Sequence, residues 1–240
     1  MGLLYVDTIE PQSGTALTVG ESGQNTVLAG NDLRANIFQD DGGNAIFTSN
    51  GSGTLSSVDS AFGNGEVLLN TQTASNSANL TFSSTLITST YKEYIWRWHS
   101  INAATDSGTF QIGFSSDNGT GYGILKITSY YRGQNSEGGS TGFGTQVFGS
   151  KASTDAQPVS GDLGNDTEYC TAGEFHLYDP ANTTGYKCWW STSPHNHASQ
   201  YANLSYAGGF IKTTSAINNL KFYMASGDIT AGQVKMYGVK

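Results

Sequence analysis

Charged residues are scarce in this chain: Asp, Glu, Lys and Arg together make up 12% of its 240 residues, and the formal net charge is −8. Nucleic acids and anionic membrane surfaces bind proteins through clustered basic side chains, so this balance argues against both as partners. No stretch approaches the ~20 consecutive apolar residues of a membrane span, and insertion into a membrane is therefore not expected.

Helical periodicity is also missing. No segment repeats apolar residues at the spacing of about 3.6 that an amphipathic helix needs. The chain instead has 31 glycines, with abundant Ser, Thr and Asn. Gly, Asn and Ser favour turns, whereas Thr, Tyr and Phe favour half-buried strands. We therefore predict an all-β protein with many short strands.

Catalytic signatures are absent as well. The sequence contains no Gly-x-Ser-x-Gly elbow, no phosphate-binding loop and no Cys–His nucleophile arrangement. Glu174 shares a predicted strand face with His176, and Asp166 and Glu168 lie upstream, but any acidic protein offers such carboxylates. We predict that the protein is not an enzyme and has no cofactor; a polysaccharide-active enzyme is the most distant alternative.

Only two cysteines occur, Cys170 and Cys188. A predicted hairpin of Glu174–Tyr178 with Tyr186–Trp190 places Cys188 opposite His176 and leaves Cys170 several residues out of reach. Residues 1–20 lack the basic start and apolar core of a signal peptide, which favours synthesis in a cytoplasm and reduced thiols. We predict two free cysteines.

Residues 1–65 differ in sequence pattern from the rest of the chain. Apolar couplets such as Ile37-Phe38 and Ile46-Phe47 are separated by glycine-centred turns at intervals of roughly 8–12 residues. Each couplet is too small to be buried within its own chain, but copies wound around a shared axis would bury them together. We predict an extended, strand-rich attachment and trimerisation arm, with a disordered linker as the alternative.

Residues 66–240 are typical of a β-sandwich. In the segment Tyr91–Ser100, Tyr94, Trp96 and Trp98 alternate with more polar residues, which predicts a strand with its aromatic face directed inward. Similar short segments recur to the end of the chain, interrupted by a glycine- and serine-rich stretch, Arg132–Gly164, that we predict to be mainly loop. The spacing favours an antiparallel, jelly-roll-like sandwich.

Several segments resemble a family of marine bacteriophage virion proteins known as structural or tail-fibre proteins. Segment 6–20 (VDTIEPQSGTALTVG) resembles a recurrent N-terminal segment of phage fibre subunits, and the ending resembles the final strands of their jelly-roll-like domains. The matching segments are 6–20, 91–105 (YKEYIWRWHSINAAT), 170–177, 209–211 (GFI), 213–217 (TTSAI), 225–229 (ASGDI) and 234–239 (VKMYGV).

The resemblance implies a virion protein made in the host bacterial cytoplasm and present in repeated copies, and it offers no catalytic signature from which an active site could be carried over. Together with the arm, it predicts a homotrimeric tail-fibre subunit involved in host attachment, which contacts other virion proteins through residues 1–65. A capsid fibre or head-decoration protein is the alternative.

A candidate carbohydrate- or receptor-binding surface lies around the predicted loop Ser191–Gln200. Neighbouring residues of a strand alternate in direction, so one of Trp189 and Trp190 must face outward. Aromatic rings stack on sugars, and amides form hydrogen bonds with sugar hydroxyls. The predicted binding residues, for a host cell-surface glycan, are Trp189, Trp190, Tyr201, Asn196 and Gln200.

His195 and His197 form the only spacing in the sequence that resembles a metal site. Two histidines separated by one residue in a loop project to the same side, and three copies around a threefold axis would supply six imidazole nitrogens. No carboxylate lies nearby to support them, so an ordinary loop is the alternative.

Overall fold

The computed structural model describes residues 37–40, 42, 44–49, 52, 55–58, 65–146 and 148–239. The chain divides into two compact units, residues 1–62 and 63–240. Most of the predicted arm, residues 1–65, lies outside the described residues. Its role in attachment and trimerisation therefore stays a prediction.

The described part of the first unit is a small antiparallel sheet. Its strands, in the order β1-β2-β3, are β1 (Ile37–Gln39), β2 (Ala45–Ser49) and β3 (Leu55–Val58). Phe38 lies opposite Phe47, and their ring centroids are 4.4 Å apart. These two couplets therefore contact each other within one chain, through a short hairpin, while Ile37 remains 50% exposed.

The second unit consists of strands, and no helix occurs among the described residues. Its strands are β4 (Glu66–Thr73), β5 (Leu80–Phe82), β6 (Glu93–Ala103), β7 (Gly108–Ser115), β8 (Lys126–Ser136), β9 (Thr141–Thr145), β10 (Ala152–Ser153), β11 (Gln157–Leu163), β12 (Thr171–Tyr178), β13 (Lys187–Asn196), β14 (Tyr201–Ile211), β15 (Asn219–Met224) and β16 (Ile229–Val239). The all-β prediction is confirmed. In the described part of the chain there is accordingly no helix of the length and apolarity that crossing a bilayer requires.

Two antiparallel sheets form a β-sandwich. The large sheet has the order β10-β8-β14-β13-β12-β6-β16-β4, with β9 also paired to β8, and the small sheet has the order β11-β7-β15-β5. The hydrophobic core lies between them. The finer prediction, a jelly-roll-like connection of the strands, stays a prediction.

Strand β6 shows why the sequence pattern produces this core. Tyr94, Trp96 and Trp98 are fully or almost fully buried, as their alternation predicts. Across the core, the Trp96 ring meets Phe82 edge-on at 6.1 Å, and the Trp98 ring meets Phe110 at 5.7 Å. Aromatic rings at these separations add to the free energy gained by burying their area.

Strands β13, β14 and β8 pair without interruption. The β13–β14 register runs from Lys187 opposite Ile211 to Asn196 opposite Ala202, and β14 continues the pairing onto β8. With no bulge to change the alternation, every second side chain of these strands points away from the core. This regular lattice positions the candidate site.

Two predicted loops are wrong. Strand β13 continues to Asn196, so the segment predicted as the loop Ser191–Gln200 is mostly strand and only a short turn precedes Tyr201. The stretch Arg132–Gly164 contains the end of β8 and all of β9, β10 and β11. Its polar, glycine-rich residues form strands because neighbouring strands supply the hydrogen bonds and, for β11, the burial.

The cysteines lie at opposite ends of the β12–β13 hairpin. Leu177 is opposite Trp189, so Cys188 lies beside Tyr178 rather than opposite His176 as predicted. Cys170 lies next to Asn196, whose backbone amide donates a hydrogen bond to the carbonyl of Cys170. Asn196 is eight residues from Cys188 along β13, so the two cysteines are ~27 Å apart. Both cysteines are free, and this separation is far beyond the ~7 Å that a disulfide allows.

Candidate binding surface

The outer face of the large sheet is the side that points away from the core. Strand β13 shows the difference between the inner and outer faces most clearly, because buried and outward side chains alternate along its whole length. The outward side chains of β13 are Cys188, Trp190, Thr192, Pro194 and Asn196. Trp189 is 2% exposed and Trp190 is 37% exposed.

Large apolar side chains are concentrated on this outer face. Those that are exposed in the second unit are Leu68, Ile127, Tyr131, Phe143, Tyr178, Tyr186, Trp190 and Tyr206. Register pairing places those that belong to strands on one side of the sheet. Two ring stacks lie on this side: Tyr131 with Phe143 at 6.1 Å, and Tyr186 with the partly buried Phe210 at 5.6 Å. Clusters of exposed apolar side chains such as these pairs mark candidate interaction sites.

Trp190 is held in a fixed orientation. Its indole Nε1 donates a hydrogen bond to the hydroxyl of Tyr178 at 2.9 Å, and its ring is stacked on the imidazole of His176, with centroids 4.0 Å apart and planes 14° from parallel. His176 is itself fixed by a 2.6 Å contact between its Nδ1 and Oε1 of Glu93. A ring immobilised before binding loses little conformational freedom when a ligand stacks on it.

A groove of about 280 Å³ borders Trp190 on the side away from His176. It is lined by Ser129, Tyr131, Trp190, Ser191, Tyr206, Ala207 and Gly208. Gly208 lies directly opposite Trp190 on β14, and without a side chain it leaves the floor beside the indole open. The groove thus has a flat aromatic wall and an almost entirely apolar lining.

The carboxylates near Trp190 are paired with cationic or imidazole groups. Arg97 donates from Nη2 to Oε1 of Glu66 at 2.6 Å and from Nε to Oε2 of Glu174 at 3.3 Å. The hydrogen bond from Arg97 holds the pKa of Glu66 below its usual value. Glu93 contacts His176 as described, so each carboxylate of this group has a partner.

A second pocket, of about 400 Å³, lies at the end of the β13–β14 hairpin. It contains four of the residues that the sequence singled out, Asn196, His197, Gln200 and Tyr201, together with Asn135, Ser136, Glu137, Tyr169 and Ala202. The side-chain oxygen of Asn196 accepts from the amide of Cys170 at 3.2 Å, and the rings of His197 and Tyr201 meet edge-on at 5.3 Å. Polar and apolar surface contribute about equally to this pocket, and its polar residues include Asn135, Asn196 and Gln200.

The predicted binding residues do not form one site. Trp189 lies in the core against Phe175, at 5.6 Å, and Phe114, at 6.2 Å, so it cannot contact a ligand. Trp190 is six residues from Asn196 on β13, a distance of ~20 Å. A single sugar ring therefore cannot contact both. The prediction was wrong on this point because β13 stays extended through Asn196 and does not form a loop that would bring Asn196 close to Trp190.

His195 is also placed differently from the prediction. It is 5% exposed on the inner side of β13, with Nε2 2.8 Å from the carbonyl oxygen of Gly161 and Nδ1 3.3 Å from that of Ser193. Burial lowers the pKa of His195 to about 4, so the ring is neutral at pH 7. Enclosed in the sandwich, it cannot share an ion with His197 at a threefold axis.

His197 takes part in other contacts. Its Nδ1 accepts from the amide of Ser199 at 2.8 Å, and its Nε2 is 3.6 Å from Oδ2 of Asp162. Among the described residues, no group of three or more His, Cys, Asp or Glu side chains could hold a metal ion.

Sequence reasoning missed Tyr131, Tyr178 and the imidazole that supports Trp190. Tyr206 follows the alternation of β14, so an outward orientation was readable from the sequence. Its position next to Tyr131 depends on the β14–β8 register, which joins segments about 75 residues apart. No local pattern contains that information. Comparison of the chain with protein-family models, curated proteins and solved structures finds no match.

Proposed function

We propose that this protein is a non-enzymatic adhesion subunit that binds a cell-surface glycan through the outer face of its large sheet. The observation that carries the proposal is Trp190, an exposed indole fixed by His176 and Tyr178 beside an open groove. A sugar ring presents an apolar face for stacking and a rim of hydroxyls for hydrogen bonds. The Trp190 groove offers an apolar aromatic surface complementary to the first of these.

We further propose that the subunit belongs to a bacteriophage virion, in a homotrimeric tail fibre attached through residues 1–65. The resemblance of the chain's two ends to phage fibre proteins supports this assignment. Three copies of a shallow site on one fibre would strengthen attachment through avidity, without any new contact. A capsid fibre or head-decoration protein is the alternative location.

Oligomeric state is tested on the full-length protein by light scattering. A homotrimer predicts about three times the 25.4 kDa of one chain at micromolar concentration. A stable monomer under these conditions would contradict the trimeric fibre. A low-resolution map of the whole particle distinguishes the two virion locations, because tails follow sixfold symmetry and heads icosahedral symmetry.

Glycan binding is tested with fluorescent protein on immobilised bacterial polysaccharides and on host cells. We expect wild-type protein to bind, and Trp190→Ala to lower the affinity roughly fivefold, since an aromatic contact adds ~0.5–1.5 kcal/mol beyond burial. Leu68→Ala is the matched control: it removes another exposed apolar side chain of the same face, four strands away on β4. Absence of binding, or equal binding by wild type and folded Trp190→Ala, contradicts adhesion at this groove and favours the head-decoration role.

A further inference from the structure

The second pocket described above, which we name the Asn196 pocket, shares strands β13, β14 and β8 with the Trp190 groove. Trp190, Gly208 and Ser129 form one row across β13, β14 and β8, because each lies opposite the next. Asn196, Ala202 and Asn135 form another row, six residues further along every strand. An even number of residues keeps both rows on the outer face, ~20 Å apart.

Two intermediate rows connect these ends. The first contains Thr192, Tyr206 and Tyr131, and the second contains Pro194, Leu204 and Gly133. We name the four rows together the track. Its first half is aromatic and its far end carries amides, while Phe143, stacked on Tyr131, borders it along β9.

The charges around the track restrict its ligand. None of the residues in the four rows is charged. Arg132 lies on β8 between Tyr131 and Gly133, but its side chain points to the inner face of the sheet and pairs with Asp162 at 2.6 Å. Glu137 lines the far pocket, and its carboxylate has no hydrogen-bond or ion-pair partner among the described residues. An acidic ligand would find no cation here and one opposing carboxylate, whereas hydroxyls or an amine would find an acceptor.

We propose that the track is one extended site for a linear, non-acidic polysaccharide, whose sugar rings stack on Trp190 and Tyr206 and whose far end is hydrogen-bonded by Asn135 and Asn196. This inference rests on the proposed glycan binding and specifies the ligand. The ~20 Å between the end rows exceeds what one or two sugar rings can span, so a ligand needs several units to contact both. Once its first rings are bound, the rest of the chain is held near the far pocket at a high effective concentration.

The experiment measures affinity as a function of ligand length. Isothermal titration calorimetry uses size-graded fragments of neutral glucan, mannan and galactan, from disaccharide to octasaccharide, with polyuronate fragments as the acidic comparison. Trp190→Ala removes the stacking end of the track. Asn135→Ala removes an exposed amide at the other end that has no side-chain hydrogen bond in the described structure, so we expect this variant to fold. Leu68→Ala remains the control.

We expect the wild type to bind octasaccharide at least tenfold more tightly than disaccharide of the same neutral polymer. Asn135→Ala should weaken octasaccharide binding roughly two- to tenfold, the effect of one hydrogen bond, and leave disaccharide binding unchanged. Trp190→Ala should weaken the binding of both lengths. Circular dichroism establishes that each variant is folded.

The possible failures are distinguishable. If no fragment binds, the proposed glycan binding fails together with the inference. If binding depends on Trp190 but neither on ligand length nor on Asn135, the proposed function stands and the track is overturned. Equal or tighter binding of polyuronates overturns the ligand class. If Tyr206→Ala lowers the mass measured by light scattering, the face is an interface between copies of this chain and the track is overturned as well.

Discussion

Trp189 and Trp190 are adjacent and chemically identical, yet they serve the two faces of the large sheet in different ways. The inner tryptophan lies among Phe175 and Phe114, and the outer one lies against His176 and Tyr178 with its other side open. The inner face obtains its stability from packing, whereas the outer face carries aromatic side chains whose burial is incomplete. The comparison indicates that an aromatic strand need not be core on both sides, and that each face can be altered separately.

The largest difference between the faces is expected for Trp189→Ala and Trp190→Ala. Removing a buried tryptophan loses its transfer free energy and leaves a cavity, which costs about 3–5 kcal/mol of unfolding free energy. Trp190 is partly exposed, and its loss should cost below ~1 kcal/mol. Urea denaturation followed by circular dichroism measures both. Similar destabilisation by the two substitutions would show that Trp190 is part of the core and not a binding residue.

A second expected difference concerns acid stability, through the buried His195. Burial depresses its pKa in the folded protein to about 4, below the usual 6.5, so the unfolded chain binds this proton more readily. Stability should therefore be complete above about pH 6.5 and fall as the pH drops towards about 4. At roughly 1.4 kcal/mol for each pH unit in that window, the loss from this ring reaches about 3 kcal/mol.

Denaturation curves between pH 4 and 7 test this, with His195→Gln as the variant and His99→Gln, an exposed histidine of β6, as the control. We expect the slope of stability against pH to become shallower in His195→Gln and to stay as in wild type in His99→Gln. An unchanged slope in His195→Gln would mean that the ring takes up its proton equally well in the folded and unfolded chain.

The sequence predicted the division of faces wherever alternation was regular and local. The aromatic face of β6 and the outward orientation of one of the two tryptophans follow from period-two patterning alone. The pairing register does not follow from this patterning. The prediction that Cys188 lies opposite His176 was therefore wrong, and Cys188 lies beside Tyr178. Strand β11 was missed because its residues, including Pro158, Ser160 and Gly161, are typical of loops, and their burial depends on tertiary contacts.

The track itself was beyond the reach of local patterns. Asn196, Gln200 and Tyr201 line one pocket because they are close in sequence, around the turn of one hairpin. Ser129 and Trp190 share a row only through β14, which pairs with both of their strands. A site built across strands far apart in sequence becomes visible when the register is known.

The smallest expected difference lies in the ion pairs of the outer face. Arg97 bridges Glu66 and Glu174, and its guanidinium is 5.3 Å from the ring centroid of Tyr237. Its side chain is 41% exposed, so solvent and salt screen these charges. Because a bidentate, networked pair contributes more than an isolated one, we expect Arg97→Met to cost about 0.5–1 kcal/mol of unfolding free energy at low salt.

The matched control is Lys92→Met, which removes the single 3.0 Å contact of Lys92 with Asp179. That lysine is 75% exposed, and its loss should change stability by only a few tenths of a kcal/mol, near the low end for surface pairs. Urea denaturation of both variants at low and high salt measures the difference, which should shrink as salt is added. A cost for Arg97→Met that rivals Trp189→Ala, or that does not respond to salt, would show that the outer face contributes to the stability of the fold. A small, salt-sensitive cost would mean that this face can carry substitutions for ligand binding without unfolding the sandwich beneath it.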